Sequence, residues 1–179
     1  AKSVRWGNRN QGILNLKSNN GLAKEIKEAY FATTTFMDAQ VGRILKKLKQ
    51  TGLDKNTIVV FTSDHGYHLS EHGHWQKQTL FENSTRVPMI FSGPGIEQGK
   101  RTNSPVEMID IYPTIMELTG IDSPDHVTGK SLKPIFEDLN SSIRNSALTK
   151  WKNGYSIKTK RYRLTMWGKD GKEGFELYD

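Results

Sequence analysis

The sequence predicts an α/β protein in which a mostly parallel sheet with flanking helices is followed by a small antiparallel β subdomain. Three features of the 179 residues support this class. A long amphipathic helix leads into a short apolar strand, an order typical of βαβ units in parallel sheets. A second strand and a second helix follow. Beyond residue 140 the apolar segments become short and are separated by polar or glycine-containing turns, as in antiparallel sheets.

The long helix is predicted over residues 22–50. Apolar residues recur there with a period close to 3.6, which places them on one helix face. Lysines are concentrated near its carboxyl end, where positive charge is favourable for the helix dipole. Gly52 is expected to end the helix, and residues 1–21, with their glycines and asparagine pairs, are expected to form a loop that leads into it.

Two strands and a second helix are predicted next. Thr57–Thr62 is β-branched, aromatic and apolar in its middle, which is typical of a strand that is covered on both faces. Val87–Gly95 forms a second short strand that ends in glycine and proline. The helix is expected over Ile111–Thr119, with Asp110 as its N-cap and Gly120 as its C-cap.

The remaining segments define the predicted domain organisation. "SLKPIFED" indicates a short helix, and "SALTKW", "YSIKTK", "YRLTMW" and "FELYD" indicate four short strands. We therefore expect a lead-in of residues 1–21, an α/β domain of residues 22–140 and an antiparallel β subdomain of residues 141–179.

Composition excludes several classes of protein. The chain has no cysteine, so it has no disulfide, thiolate metal site or cysteine nucleophile. No run approaches the ~20 apolar residues that a membrane-spanning helix needs, and no nucleic-acid-binding motif is present. The net charge of +7 favours polyanionic partners, although the basic run of residues 144–172 is most simply a solvated sheet face. The chain begins with Ala1 and shows no signal peptide, which predicts a processed or excised piece.

The densest chemistry lies in "VVFTSDHGYHLSEHGHWQKQTLFE", residues 59–82, which holds four of the five histidines. Asp64 and His65 directly follow the first predicted strand, and open α/β sheets bind ligands beyond the carboxyl ends of their strands. Carboxylate oxygen suits Ca²⁺ or Mg²⁺, whereas imidazole suits transition metals better. Lys77 follows thirteen residues after Asp64, and beside a metal site its point charge would suit a tetrahedral oxyanion.

Spacing alone leaves other interpretations of this segment open. His65, His68 and His72 are spaced three and four apart, which on a helix could hold zinc. Gly66 and Gly73 interrupt such a helix, however. The histidines could also form hydrogen bonds within a loop without binding metal, and Lys77 could be an ordinary surface lysine.

The run "FTSDHGYHLSEHGHWQKQTLFENSTRVPMIFSGPG" resembles the type I sulfatases, and within them the iduronate-sulfatase-like group. The resemblance continues collinearly over roughly residues 22–179 and includes "VEMIDIYPTIMELTGI", "GKSLKPIF" and the C-terminal "GYSIKTKRYRLTMW" and "ELYD". It implies an alkaline-phosphatase-like α/β fold. It also implies a secreted or periplasmic enzyme that hydrolyses sulfate esters of a sulfated carbohydrate.

The resemblance also implies roles for individual residues. Asp64 and His65 match two ligands of the family's divalent cation, usually Ca²⁺, and Lys77 matches its catalytic, sulfate-contacting lysine. His68 and His74 are candidate substrate contacts that face the sugar, or else they shape the loop. His72 is expected to serve loop structure.

The chain departs from the family pattern at the nucleophile. The family uses formylglycine, made from cysteine or serine in a C/S-x-P-x-R motif, and this sequence contains no such motif. We therefore expect the chain to be the C-terminal portion of a sulfatase that is inactive by itself. The missing N-terminal half would supply the formylglycine and two further aspartate ligands.

Two functions of other kinds remain open at this point. One is a phosphoesterase or phosphonate hydrolase of the same superfamily, and the other is a non-catalytic module that binds polyanionic glycans through the basic C-terminal third. Self-association through exposed sheet edges and apolar surface is also predicted for a piece of a larger fold.

Overall fold

The computed structural model describes residues 21–179, which fall into two compact units. The first unit ends at Pro94 and the second begins at Gly95. The predicted lead-in, residues 1–20, lies outside the described residues, and Gly21 already belongs to the first helix. The predicted domain boundary between residues 140 and 141 stays a prediction.

The first unit is built on helix α1, Gly21–Gln50, which confirms the predicted long helix. Gly52 follows it with a φ of 72°, and the chain then makes a 3₁₀ turn over Leu53–Asn56. Ala23 is the buried residue of α1, where it packs with Trp75. Large apolar side chains remain exposed along the helix, namely Leu22, Phe31, Phe36, Met37, Ile44 and Leu45. Among the described residues, no helix combines the length and apolar character needed to cross a bilayer.

Two short antiparallel pairs complete the first unit. Strand β1, Val59–Thr62, pairs with β4, Met89–Ser92, while β2, His68–Leu69, pairs with β3, Trp75–Gln76. In this respect the structure differs from the prediction, because every strand pair within residues 21–179 is antiparallel. The side chains of β1 are half-buried rather than covered on both faces. An apolar run shows that a strand packs against something, but it does not specify the direction of its partner.

The second unit contains helices and a four-stranded sheet. A 3₁₀ turn over Met108–Asp110 leads into α3, Ile111–Leu118, and α4 spans Lys133–Glu137. The four predicted C-terminal strands are confirmed, and each pairs with the next in an antiparallel meander. They are β5, Ala147–Trp151; β6, Gly154–Lys158; β7, Arg163–Trp167; and β8, Gly174–Tyr178. A further short helix, α2, spans Glu82–Thr85 in the first unit.

The two faces of this sheet differ in polarity. Leu148, Ile157, Leu164 and Leu177 are register partners across all four strands, and each is exposed. In the next row of the opposite face, the partners Ser156 and Thr165 are fully buried and hydrogen-bonded to each other. The apolar row therefore lies on the outer surface of the described chain.

Asp110 does not act as predicted. Its side chain makes no capping bond to α3 and instead forms a reciprocal capping box with Glu107 around the 3₁₀ turn. The fully buried carboxylate also accepts bonds from the guanidinium of Arg144 and the backbone N–H of Lys130. The helix ends one residue earlier than predicted, with Thr119 as its C-cap, and Gly120 follows the cap with a φ of 70°.

Candidate functional site

The site forms where the chain leaves β1. Asp64 and His65 occupy a tight turn in which the His65 N–H donates to Asp64 Oδ1 at 3.0 Å. The hydroxyl of Ser63 donates to the His65 carbonyl at 2.8 Å and braces the same turn. The Asp64 carboxylate is 82% exposed, whereas the His65 ring is half-buried. The turn therefore presents a largely exposed carboxylate beside a fixed imidazole.

The orientation of the His65 ring follows from its hydrogen bonds. Nδ1 lies 2.8 Å from the Gly66 carbonyl, and because a carbonyl can only accept, Nδ1 carries the proton. Nε2 lies 2.7 Å from Lys77 Nζ and 3.4 Å from Asp64 Oδ2. An ammonium can only donate, so Nε2 accepts this bond through its lone pair. The structure thus brings together the three residues predicted to carry the chemistry.

Asp64 and His65 fit part of a divalent-cation site. Oδ2 and the Nε2 lone pair are adjacent, and a ring whose other nitrogen donates to a backbone carbonyl is the usual form of a metal-binding histidine. Ca²⁺ takes roughly 6–8 ligands, mostly oxygen, so two ligands cannot complete the site. Within residues 21–179 no group of three or more potential ligands converges on one point. Among the described residues, Asp64 and His65 are therefore the side chains of this kind that the site brings together.

The three-histidine alternative is not supported by this arrangement. His65 faces Lys77, whereas the His68 ring bonds to Thr79. His72 stacks on Phe81, with ring centroids 4.2 Å apart and nearly parallel planes, as expected for a histidine that serves loop structure.

Lys77 is held in an unusual stretch of backbone. The residues on either side of it, Gln76 and Gln78, have φ values of 70° and 77°, which only glycine adopts without cost. Such a residue costs of order 1–3 kcal/mol and persists only where the surroundings enforce it. The buried side chains of Trp75 and Leu80, each 1% exposed, anchor the stretch on both sides.

His68 and His74 are both fully buried, so neither presents surface that a sugar could contact in this structure. Burial, followed by the proximity of His74, lowers the pKa of His68 to about 4. Burial, followed by the proximity of His72, lowers the pKa of His74. Of the two roles predicted for this pair, the placement favours shaping the loop over facing the substrate.

Sequence reasoning missed three residues that build the site. Thr79 and Ser84 share a buried hydrogen bond of 3.0 Å beneath the Lys77 loop. A methyl group on Gly66 would lie 1.9 Å from the carbonyl oxygen of Asn83, so position 66 has no room for a side chain. None of these three residues belongs to a recognisable motif. Their sequence positions, within or just after the histidine-rich segment of residues 59–82, were the only indication that they matter.

Comparison with known proteins places these residues in a family context. The profile of the family described as "Sulfatase" matches residues 5–121, and that of "N-sulphoglucosamine sulphohydrolase, C-terminal" matches residues 70–179. A protein named "Sulfatase" from Formosa agariphila is 40% identical over 162 residues, which cover 90% of this chain. The chain spans only 31% of that relative's length.

Solved structures confirm the α/β fold of the alkaline-phosphatase-like type. One was determined in complex with its substrate D-glucosamine-2-N,6-O-disulfate and matches with a TM-score of 0.71 and 31% identity, covering 84% of this chain and 33% of its own. A phosphonate monoester hydrolase from Silicibacter pomeroyi matches with a TM-score of 0.81, covering 94% of this chain and 37% of its own. Its identity is 24%, so this second likeness concerns the fold alone.

Proposed function

This chain belongs to the sulfatase family, and we propose that it contributes the Asp64, His65 and Lys77 portion of an active site that hydrolyses sulfate esters of a carbohydrate. The observation that carries the proposal is the convergence of Lys77 Nζ on His65 Nε2 at 2.7 Å, with Asp64 Oδ2 at 3.4 Å from the same nitrogen. A cation-ligand pair and an anion-binding ammonium therefore share one surface. Because the chain spans about a third of its relative's length, the activity is proposed for the complete protein.

The chemistry of these residues suits a sulfate monoester. Such a group carries negative charge on its oxygens, and more charge develops on the leaving oxygen during hydrolysis. The Lys77 ammonium has three N–H donors, and the one that points at His65 Nε2 would be released to the ester once the cation takes the Nε2 lone pair. Charge that is fixed in place before the reaction stabilises the transition state without reorganisation.

Asp64 and His65 would hold the divalent cation, which we propose to be Ca²⁺. When bound, the cation would supply a second positive charge at the ester. Asp64 contributes an exposed oxygen, and His65 contributes Nε2 in the tautomer that the Gly66 carbonyl selects. The formylglycine nucleophile and two further carboxylates are proposed to come from polypeptide outside these residues, in an exported, periplasmic or secreted, protein.

The proposed substrate class is a sulfated sugar of the kind found in glycosaminoglycans. The sequence resembles the iduronate-sulfatase-like group, whereas one matching family is named for N-sulphoglucosamine and one structural relative binds a glucosamine disulfate. These names differ in the sugar but agree on a sulfated carbohydrate. Turnover of 2-sulfated iduronate compared with 6-sulfated glucosamine would decide between the two.

The basic C-terminal third gives less support to a purely glycan-binding role. Arg163 is buried. The Arg161 guanidinium donates two hydrogen bonds to the Asp179 carboxylate, from Nε and from Nη2. Lys158 donates to the Arg161 carbonyl. These cations therefore already have partners within the C-terminal subdomain. Heparin retention that survives the loss of Lys77 would be evidence for the glycan-binding function.

Turnover of p-nitrophenyl sulfate by the protein made from its complete reading frame tests the proposal. We expect Ca²⁺-dependent hydrolysis that is abolished by Asp64→Ala and by Lys77→Ala, but not by Lys24→Ala, which removes an exposed lysine of α1. Faster turnover of p-nitrophenyl phosphate or a phosphonate ester would instead favour the phosphoesterase alternative.

Self-association through the exposed apolar row of the sheet, Leu148, Ile157, Leu164 and Leu177, is a separate proposal. A protein that stays monomeric at all concentrations in light scattering would contradict it.

A further inference from the structure

A chain of hydrogen bonds, buried at Thr79 and Ser84, links the loop that carries Lys77 to the turn that carries His65. It begins at His68, whose Nε2 lies 2.8 Å from the hydroxyl oxygen of Thr79. The Thr79 hydroxyl in turn donates to Ser84 Oγ at 3.0 Å and accepts from the Phe81 N–H at 3.3 Å. All four residues are buried.

The Thr79 hydroxyl is fully used by these bonds. It has one proton, which goes to Ser84, and two acceptor positions, which the Phe81 N–H and the His68 Nε2–H fill. Thr79 is only 6% exposed, so solvent has little access to this oxygen to replace a lost partner. Each bond in the set therefore depends on the others being made.

Ser84 continues the link to His65 through the backbone. Its carbonyl accepts the Gly66 N–H at 2.9 Å, and the Gly66 carbonyl accepts the His65 Nδ1–H at 2.8 Å. The close approach of Gly66 to the Asn83 carbonyl shows that the two segments touch without an intervening side chain. Movement at Ser84 would therefore reach the bond that orients the His65 ring.

Thr79 also closes the strained stretch around Lys77. It follows Gln78 directly, and both neighbours of Lys77 have left-handed backbone conformations. Such conformations persist only when the ends of the segment are held. Trp75 holds one end by burial, and Thr79 holds the other by its three hydrogen bonds.

We propose that Thr79 and Ser84 are positioning residues that hold the loop carrying Lys77 against the turn carrying His65, so that the Lys77 ammonium lies beside the His65 ring. They touch neither substrate nor cation, and they act by joining the Lys77 loop to the His65 turn. The catalytic consequence rests on the proposed function, whereas the geometric consequence does not.

Four variants of the complete protein test this inference. Thr79→Val removes the hydroxyl at nearly constant volume, and Thr79→Ser restores it. Ser84→Ala removes the acceptor while leaving the carbonyl that holds Gly66. Thr85→Val is the matched control, because the Thr85 hydroxyl bonds only to the Phe81 carbonyl of its own turn.

Two measurements are made on each variant. The first is the ring ¹⁵N chemical shifts of His65, which are assigned by their absence in the His65→Gln variant. These shifts report whether the ring proton stays on Nδ1, as in the parent protein. The second is the steady-state kinetics of aryl-sulfate hydrolysis, which give kcat and KM separately. We expect Thr79→Val and Ser84→Ala to mix the two tautomers and to lower kcat about 10- to 100-fold, since small misplacements of reacting groups have effects of this size. Thr79→Ser and Thr85→Val should keep the parent values.

Unchanged His65 shifts and unchanged kcat in a folded Thr79→Val, even with a lower melting temperature, would overturn the inference. If Thr79→Val does not fold, Ser84→Ala decides by the same two measurements. If the parent protein cleaves no sulfate ester, the proposed function fails, but the His65 shifts still decide whether Thr79 and Ser84 position the pair.

Discussion

The ammonium nitrogen of Lys77 lies 2.7 Å from Nε2 of His65, although the two residues are twelve positions apart in the chain. The contact fills the position next to the Asp64 carboxylate, where the lone pair of Nε2 would otherwise be open to a cation. In the proposed function Lys77 would therefore have two relationships with the site: it would supply charge for an ester, and its charge lies where a divalent ion would bind.

Replacing Lys77 by methionine should separate these two effects. We expect kcat for aryl-sulfate hydrolysis to fall about 100- to 1,000-fold, the usual cost of losing one preorganised donor to an oxyanion. The affinity for Ca²⁺, measured by isothermal titration calorimetry, should stay the same or rise, because a like charge has been removed. Lys24→Met should change neither quantity. A loss of Ca²⁺ binding together with activity would show that Lys77 only supports the fold of the site.

The burial of His68 should make the first unit sensitive to acid. Its pKa is lowered to about 4 by burial and by the proximity of His74, while Glu71 opposes and His72 adds to the shift. Since the folded pKa lies below the unfolded value, the neutral ring stabilises the fold fully above about pH 6.5. That stability is lost as the pH falls from about 6.5 through about 4.

Denaturant unfolding followed at several pH values checks this dependence. His68→Gln can still donate to Thr79 but does not titrate, so its unfolding free energy should decline less between pH 6.5 and 4 than that of the parent. His126→Gln removes an exposed histidine and should leave the decline unchanged. Parallel pH profiles for the parent and His68→Gln would contradict the expected role of burial.

A side chain at position 66 should displace the His65 turn. The β-carbon of Gly66→Ala would lie 1.9 Å from the Asn83 carbonyl oxygen, and backbone cannot yield as a flexible side chain can. We expect loss of Ca²⁺ binding and a destabilisation of about 1–3 kcal/mol, in the range for overpacking. Gly42→Ala, in the open middle of α1, should instead stabilise by about 1 kcal/mol. Melting temperatures and calorimetry of both variants test the contrast.

Arg144 should be the most sensitive single residue of the second unit. Its guanidinium bonds to the carboxylates of Glu107 and the fully buried Asp110. Arg144→Ala would leave a buried carboxylate uncompensated, at a cost of about 3–5 kcal/mol in unfolding free energy. Arg161→Ala breaks an exposed pair with Asp179 and should cost far less, because solvent screens that pair. Equal losses in urea unfolding would contradict the importance of burial at Arg144.

Much of the fold was predictable because its signals are periodic. The 3.6-residue pattern of α1 and the regular turns between β5 and β8 each involve many residues, so the elements were confirmed nearly to the residue. The direction of β1 was not predictable in the same way, since an apolar strand suits parallel and antiparallel partners alike. The alkaline-phosphatase-like class came from resemblance, and the solved structures confirm it.

Single residues with distant partners carried no such signal. Asp110 was expected to cap α3, but its main partner, Arg144, lies 34 residues further along the chain. Thr79 and Ser84 are ordinary polar residues whose importance depends on being buried beside His68. For the same reason, a cluster of histidines in sequence did not reveal that one faces Lys77 while two others are enclosed.

The His65 ring takes its orientation from the peptide carbonyl of Gly66, not from another side chain. A protein engineer could therefore not retune this imidazole by the common route of exchanging an acidic partner for an amide. In the proposed cation site, the orientation of the histidine ligand would thus be set by main-chain geometry and not by an exchangeable side chain.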